Sequence, residues 1–153
     1  MIQVVLVEPE IPQNTGNIAR LCAAVDSPLH IVGVTGFRMD DRAVRRAGLD
    51  YWHAVTIHRH RDLGSLKNAV PGRLLYFSTK AARSLWDWRF DPNDCLVFGP
   101  ETRGLPEAIL KENWDRCLKI PMSNTKVRSL NLANSVAIAL YEALRQLSHP
   151  ATE

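Results

Sequence analysis

Covalent staples and membrane-length apolar runs are both missing from this chain. Its 153 residues include only three cysteines, Cys22, Cys95 and Cys117, an odd number, each set inside an apolar segment. They are expected as buried free thiols, not as a disulfide framework or metal site. A chain of this length can bury about 68–70% of its unfolded surface without either. No apolar run approaches the roughly 18–20 residues that a membrane span requires. The opening MIQVVLVEPEIP has no basic flank of the kind that precedes a secretory leader. Cytoplasmic location with no membrane partner is therefore expected. Internal repeats, low-complexity stretches and Gly/Ser linkers are also absent, which points to one domain over residues 1–153. Two phosphate-binding signatures, GxGxxG and the Walker lysine, are missing too. No histidine is an obvious general base, since His58 and His60 lie in a basic stretch that reads as surface.

What is present is unevenly distributed. The net charge is only +3, yet residues 38–89 hold eleven Lys/Arg against five Asp/Glu, whereas 90–153 hold seven against eight. Fourteen of the nineteen basic residues are arginine, whose planar fork matches phosphate. Each of these arginines, taken singly, is equally compatible with a solvated helix face. Taken as a segment, they favour a polyanionic partner.

Short apolar runs alternate with amphipathic stretches, the pattern of an α/β fold with a mostly parallel sheet. Strands are expected at Ile2–Val7, Leu29–Val34, Ala54–Ile57, Arg73–Ser78, Asp94–Phe98 and Arg116–Ile120. The first helix is expected to start at Asn14 or Thr15, either of which can cap it, with Ile18, Leu21, Cys22 and Val25 as its core stripe. DDRAVRRAG reads as a basic helix opened by two aspartates and stopped at Gly48. The last helix, Asn131 to Leu147, carries a core stripe of Leu132, Val136, Leu140, Ala143, Leu144 and Leu147. Ala133, Ala137, Ile138 and Tyr141 give it a second apolar flank that a subunit interface would cover.

Three polar loops follow strands. The first, Glu8 to Asn17, is stiffened by Pro9 and Pro12, contains Gly16 at the helix start, and leads to Arg20. The second, Gly99 to Pro106, packs two glycines, two prolines, Glu101 and Arg103 into eight residues at a strand's carboxyl end, where open α/β sheets bind ligands. The third, Pro121 to Asn131, is long and polar and ends in Ser129 and Asn131, both good helix caps. Each can be read as a decorated turn; together they point to one shared site.

The stretches EPEIPQNTGNIARLC, DDRAVRRAGLDY, FGPETRGLP, and IPM followed by RSLNLANSVAIALYEALRQL resemble, in this order and over nearly the whole chain, the SPOUT class of RNA methyltransferases. More narrowly, the chain is similar to the minimal bacterial tRNA wobble-nucleotide 2′-O-methyltransferases. The resemblance implies a parallel sheet flanked by helices with a C-terminal trefoil knot. It implies S-adenosylmethionine as methyl donor, no metal, tRNA as substrate and a homodimer. Carried across residue by residue, it implies a cofactor cradle of Phe77, Gly99, Glu101, Ile120, Ser129 and Leu130. Arg20, Glu101 and Asn131 become the catalytic candidates; the family assigns the first-loop arginine a part in deprotonation, although a guanidinium is effectively always protonated. Arg45, Arg46, Lys80, Arg103 and Arg128 become candidate phosphate contacts. Three departures concern loop geometry: Ala81 stands where the family often has glycine, Asp26-Ser27-Pro28 replaces a glycine-containing turn, and the third loop is a residue longer before Arg128. An rRNA 2′-O-methyltransferase, or a non-catalytic RNA- or nucleotide-binding protein of the same fold, remains an alternative.

Overall fold

The computed structural model describes residues 1–148, with residues 48–50 as backbone only. Among these residues seven strands form a single sheet: β1 (Gln3–Val7), β2 (Leu29–Val32), β3 (Ile57–His60), β4 (Leu74–Phe77), β5 (Arg83–Ser84), β6 (Cys95–Phe98) and β7 (Cys117–Lys119). Their spatial order is β3-β2-β1-β6-β4-β7-β5, and every pairing is parallel. Among the described residues, five α-helices complete the fold: α1 (Pro12–Ala24), α2 (Arg42–Gly48), α3 (Leu63–Ala69), α4 (Glu107–Glu112) and α5 (Leu132–Ser148).

The central strands are buried on both faces, which explains their continuous apolar sequence. Period-two alternation divides β1 between two cores. Val4 and Leu6 join Ile18, Cys22, Val136 and Leu140 on one face, while Val5 and Val7 join Leu66, Tyr76, Val97 and Leu110 on the other. The expected stripes of α1 and α5 face the first of these cores, with Leu21, Val25, Leu132, Leu144 and Leu147 half-buried at its edge. Cys22, Cys95 and Cys117 are free and buried, and burial pushes the thiols of Cys22 and Cys95 up to about 12 and about 11.

Two elements differ from the sequence expectation. Helix α1 begins at Pro12, with Ile11 as a cap that makes no side-chain hydrogen bond, so Asn14 and Thr15 lie buried within the helix and do not cap it. Proline is tolerated at the first helical position because its missing N–H would have no intrahelical partner there. The third strand is Ile57–His60, not Ala54–Ile57, because Leu49–Ala54 is a 3₁₀ turn. As an edge strand, β3 pairs on one side only and requires no continuous apolar run. The other five expected strands appear in place, each one or two residues shorter, and the two-residue β5 is an addition that the sequence pattern does not indicate.

The departures in loop sequence are accommodated locally. Asp26 takes a φ of 55°, the left-handed conformation that ends many helices, and the next N–H, that of Ser27, donates to Cys22 O at 3.0 Å. Ala81 is buried, and its N–H closes a turn onto Ser78 O at 3.2 Å.

Sheet order reverses at β1, whose neighbours are β2 and β6. The first and second loops therefore leave adjacent strands at the same carboxyl edge, the place where such sheets bind ligands.

Candidate active site

The first and second loops are tied by exchanged carboxylates. Glu10 accepts the Thr102 N–H at 2.9 Å and its hydroxyl at 2.8 Å. In return, Glu101 accepts the N–H of Glu10 at 2.9 Å and of Ile11 at 2.5 Å. The Thr102 bonds hold the Glu10 carboxyl below its ordinary value. Arg103 adds an ion pair to Glu8 at 3.3 Å, and Glu8 itself sits at a φ of 46°.

The third loop joins through α1. Asn131 Nδ2 donates to Asn14 Oδ1 at 3.1 Å, and Asn14 Nδ2 reaches the Glu101 carboxylate at 3.5 Å. Asn131 also caps α5, accepting the Asn134 N–H at 3.2 Å. A chain of polar contacts thus runs from the start of α5, through a buried asparagine on α1, to the second loop. The sequence reading took Asn14 only as a possible helix cap, although one signal of a buried role was available: it is a polar residue four positions before Ile18, in line with the apolar stripe of α1.

Behind this network, at the carboxyl ends of β4, β6 and β7, opens a cleft of about 280 Å³. Phe77 and Phe98 form its base, their rings stacked 4.7 Å apart and 11° from parallel. Gly99 makes the turn above them possible, because a Cβ there would stand 2.5 Å from the Gly104 carbonyl carbon. All six residues expected in the cofactor cradle, Phe77, Gly99, Glu101, Ile120, Ser129 and Leu130, line this one cleft. Glu101 has its carboxylate committed to the first loop and to Asn14, which leaves its main chain for any ligand.

Of the catalytic candidates, Glu101 and Asn131 belong to one network, whereas Arg20 stands outside it. Arg20 is exposed on α1, with its guanidinium carbon 4.8 Å from the centre of the Tyr51 ring. Of the phosphate candidates, Lys80, Arg103 and Arg128 border the cleft. Lys80 is also paired with Glu107 at 3.3 Å. Arg45 and Arg46 are exposed on α2 and do not line the cleft. Helix α2 is nevertheless seated closely on α1: a Cβ at Gly16 would collide with Ala47 Cβ and lie 2.6 Å from Val44 O.

Residues 1–141 match the SpoU rRNA Methylase family. The tRNA (cytidine(34)-2'-O)-methyltransferase of Escherichia coli is 45% identical over 152 residues, covering 98% of this chain and 96% of that protein. The protein of the same name from Saccharophagus degradans is 47% identical over 150 residues, 96% of each. A solved structure described as giving structural insights into the 2-OH methylation of C/U34 on tRNA superposes with a TM-score of 0.92, at 47% identity and 97% coverage of both chains. The SpoU methyltransferase AviRb from Streptomyces viridochromogenes, in complex with the cofactor AdoMet, superposes with a TM-score of 0.87 at 26% identity, covering 99% of this chain and 59% of its own.

Proposed function

The chain belongs to the SpoU rRNA methylase family, and on that premise we propose that it methylates the ribose 2′-hydroxyl of the tRNA wobble nucleotide, cytidine or uridine 34. The observation that carries this reading is the near full-length identity to enzymes of that name, joined to a cleft lined by every residue of the inferred cradle. The family's C-terminal trefoil knot is part of the proposal; its support is the superposition on solved methyltransferases of the family, and residues of the third loop line the cleft together with those after β4 and β6.

The cleft fits S-adenosylmethionine in kind. Stacked Phe77 and Phe98, with Ile120 and Leu130, offer apolar surface for an adenine. Main-chain groups at Gly99 and Glu101 can read its edges without a competing charge, because the Glu101 carboxylate is turned to the first loop. When bound, the cofactor supplies a sulfonium methyl for in-line displacement.

The chain's own groups do the positioning. Arg20 orients the ribose or its phosphate and stabilises the charge developing on the 2′-oxygen. Asn131 spends one amide hydrogen on Asn14 and has a second for the ribose. Glu101 holds the first and second loops in register and so shapes the cradle. Arg45, Arg46, Lys80, Arg103 and Arg128 take phosphates. Tyr141 and Ile138, 54% and 42% exposed on α5, support a homodimer that covers them and lets two subunits share one tRNA. We place the enzyme in the cytoplasm as a single methyltransferase domain; among the described residues no helix is long and apolar enough to cross a membrane.

Incubation with S-adenosylmethionine and tRNA lacking ribose methylation, followed by digestion and mass spectrometry, tests the reading. A 2′-O-methylated nucleoside mapped to position 34 supports it. Methylation of rRNA alone would favour the alternative that the family's description names, and no product with either RNA would refute it.

A further inference from the structure

Trp86 is the most exposed tryptophan side chain among the described large hydrophobics, at 71%, and nothing in the cleft or the polar network uses it. It follows β5 in a short 3₁₀ turn, Leu85–Asp87, in which Leu85 is fully buried and anchors the segment while the next indole is left in solvent. The turn is further fixed by Ser84, whose hydroxyl accepts the Trp86 N–H at 3.1 Å. A large rigid ring is therefore held outward on a short, well-anchored segment.

Its place in the fold gives the indole a neighbour. Ser84 pairs with Lys119 across the β5–β7 ladder, and both strands run toward the carboxyl edge that carries the cleft. At the end of β7 lies a second hollow, lined by Thr79, Lys119, Ile120, Pro121 and Met122. Thr79, Ile120 and Met122 border the cleft as well, so the hollow is its immediate extension toward β5. Arg128 stands on the cleft side, and Lys126 lies in the same loop. The acidic groups here are Glu107, paired with Lys80, Asp115, paired with Arg83 of β5 at 3.7 Å, and Asp87, which shares the turn with Trp86.

A flat indole in solvent, two residues beyond the strand partner of Lys119, whose hollow continues the cleft, matches the recognition of single-stranded RNA, where bases stack on aromatic rings and phosphates meet cations. We propose that Trp86 and Lys119 form a subsite for a nucleotide flanking the one that is methylated, the indole stacking on its base and the ammonium group pairing with its phosphate. This deepens the reading of the chain as an RNA methyltransferase and rests on it. Stacking is tolerant of base identity, so the subsite contributes to affinity and register more than to sequence choice.

The test is steady-state methylation of an anticodon stem-loop by the full chain and its Trp86→Ala, Trp86→Phe and Lys119→Ala variants, with S-adenosylmethionine affinity measured separately. Trp86→Ala is expected to raise KM for RNA about five- to a hundredfold, with kcat and cofactor affinity within twofold of the parent. Trp86→Phe should recover most of the loss, and Lys119→Ala should raise KM while flattening its salt dependence. Stem-loop binding by anisotropy should follow the same order. Unchanged KM and binding in Trp86→Ala, beside an active parent, would overturn the subsite and leave the methyltransferase reading standing. A parent that neither binds nor methylates the stem-loop would overturn both. A change in oligomeric state in Trp86→Ala would assign the indole to a subunit contact and overturn the subsite.

Discussion

The guanidinium of Arg20 lies against the face of Tyr51, 4.8 Å from its centre, so the proposed charge-stabilising group is held by an aromatic ring from the segment after α2. Removing the charge and removing its support should have different consequences. Arg20→Ala is expected to lower kcat about a hundredfold or more, as loss of a transition-state donor does, while leaving S-adenosylmethionine affinity intact. Tyr51→Ala removes a contact worth about 0.5–1 kcal/mol and should lower kcat about two- to fivefold. Equal effects from the two would mean that Arg20 acts only by packing; lost cofactor binding would place it in the cradle.

Glu101 should behave as a structural carboxylate. Glu101→Ala leaves the N–H groups of Glu10 and Ile11 and the Asn14 amide without their acceptor, at a cost of about 1–3 kcal/mol. Thermal unfolding should reflect that loss, and cofactor affinity should fall with it as the cradle loosens. Glu101→Gln retains one acceptor oxygen and should fall between the parent and Glu101→Ala. Full stability combined with abolished turnover would instead mark Glu101 as a proton-transfer group.

At Gly16 a single added methyl group meets Ala47 Cβ and the Val44 carbonyl oxygen across the α1–α2 contact. Gly16→Ala is a favourable helix substitution in isolation, worth about 1 kcal/mol. Overpacking commonly costs about 1–3 kcal/mol, so a net loss of stability is expected, with weaker RNA binding as α2 is displaced. A rise in Tm would show that the two helices can separate freely.

A cluster of imidazoles predicts acid sensitivity. His30 Nδ1 lies 2.8 Å from His60 Nε2, His30 Nε2 faces Gln3 Oε1 at 2.5 Å, and the His30 and His58 rings stack at 5.0 Å. Burial, then the neighbouring His58 and His60, lowers His30 from its ordinary 6.5 to about 4, and burial lowers His60 as well. In this window the unfolded chain binds more protons than the folded one, so stability is complete above about pH 6.5 and is lost as the pH falls toward 4. The expected loss from His30 at pH 5 is about 2 kcal/mol. Urea titrations at pH 7 and pH 5 measure it, and His30→Gln should reduce the difference; an unchanged difference would exclude the cluster as its source.

Arg45 and Arg46, which do not line the cleft, are proposed to meet phosphate from α2. Replacing either with alanine should weaken tRNA binding without changing kcat, and should reduce the slope of log K against log salt by about 0.7–0.9 per lost contact. An unchanged slope would return these arginines to the solvent.

Local pattern made some of this legible and tertiary structure hid the rest. The apolar runs of β1, β4 and β6 are read easily because both faces of those strands are buried, whereas the six cradle residues come from the family resemblance alone, and the structure gathers them along one cleft. The start of α1 was misplaced because sequence suggests local caps, and here the adjoining N–H groups are satisfied by Glu101, 90 residues from Ile11. Strand β3 was misplaced for a related reason: an edge strand can be built from His58 and Arg59, which no apolar period reveals. The bridging role of Asn14 depends on Asn131, 117 positions away, and on Glu101, so only the folded chain discloses it.

The pairing of β1 with β6 has a consequence for how the molecule comes into being. Gln3 lies beside Cys95, and Glu10 beside Thr102, so a strand made among the first residues waits for one made more than ninety residues later. Until Cys95–Phe98 emerges during synthesis, β1 has β2 on one side and a bare row of amide and carbonyl groups on the other. Closure of so distant a pairing is slow on topological grounds, and a chain arrested before it would present a sticky edge to its neighbours. The carboxylate exchange that shapes the cleft can form only after that strand is in place, so ligand-binding competence arrives as one of the last events of folding.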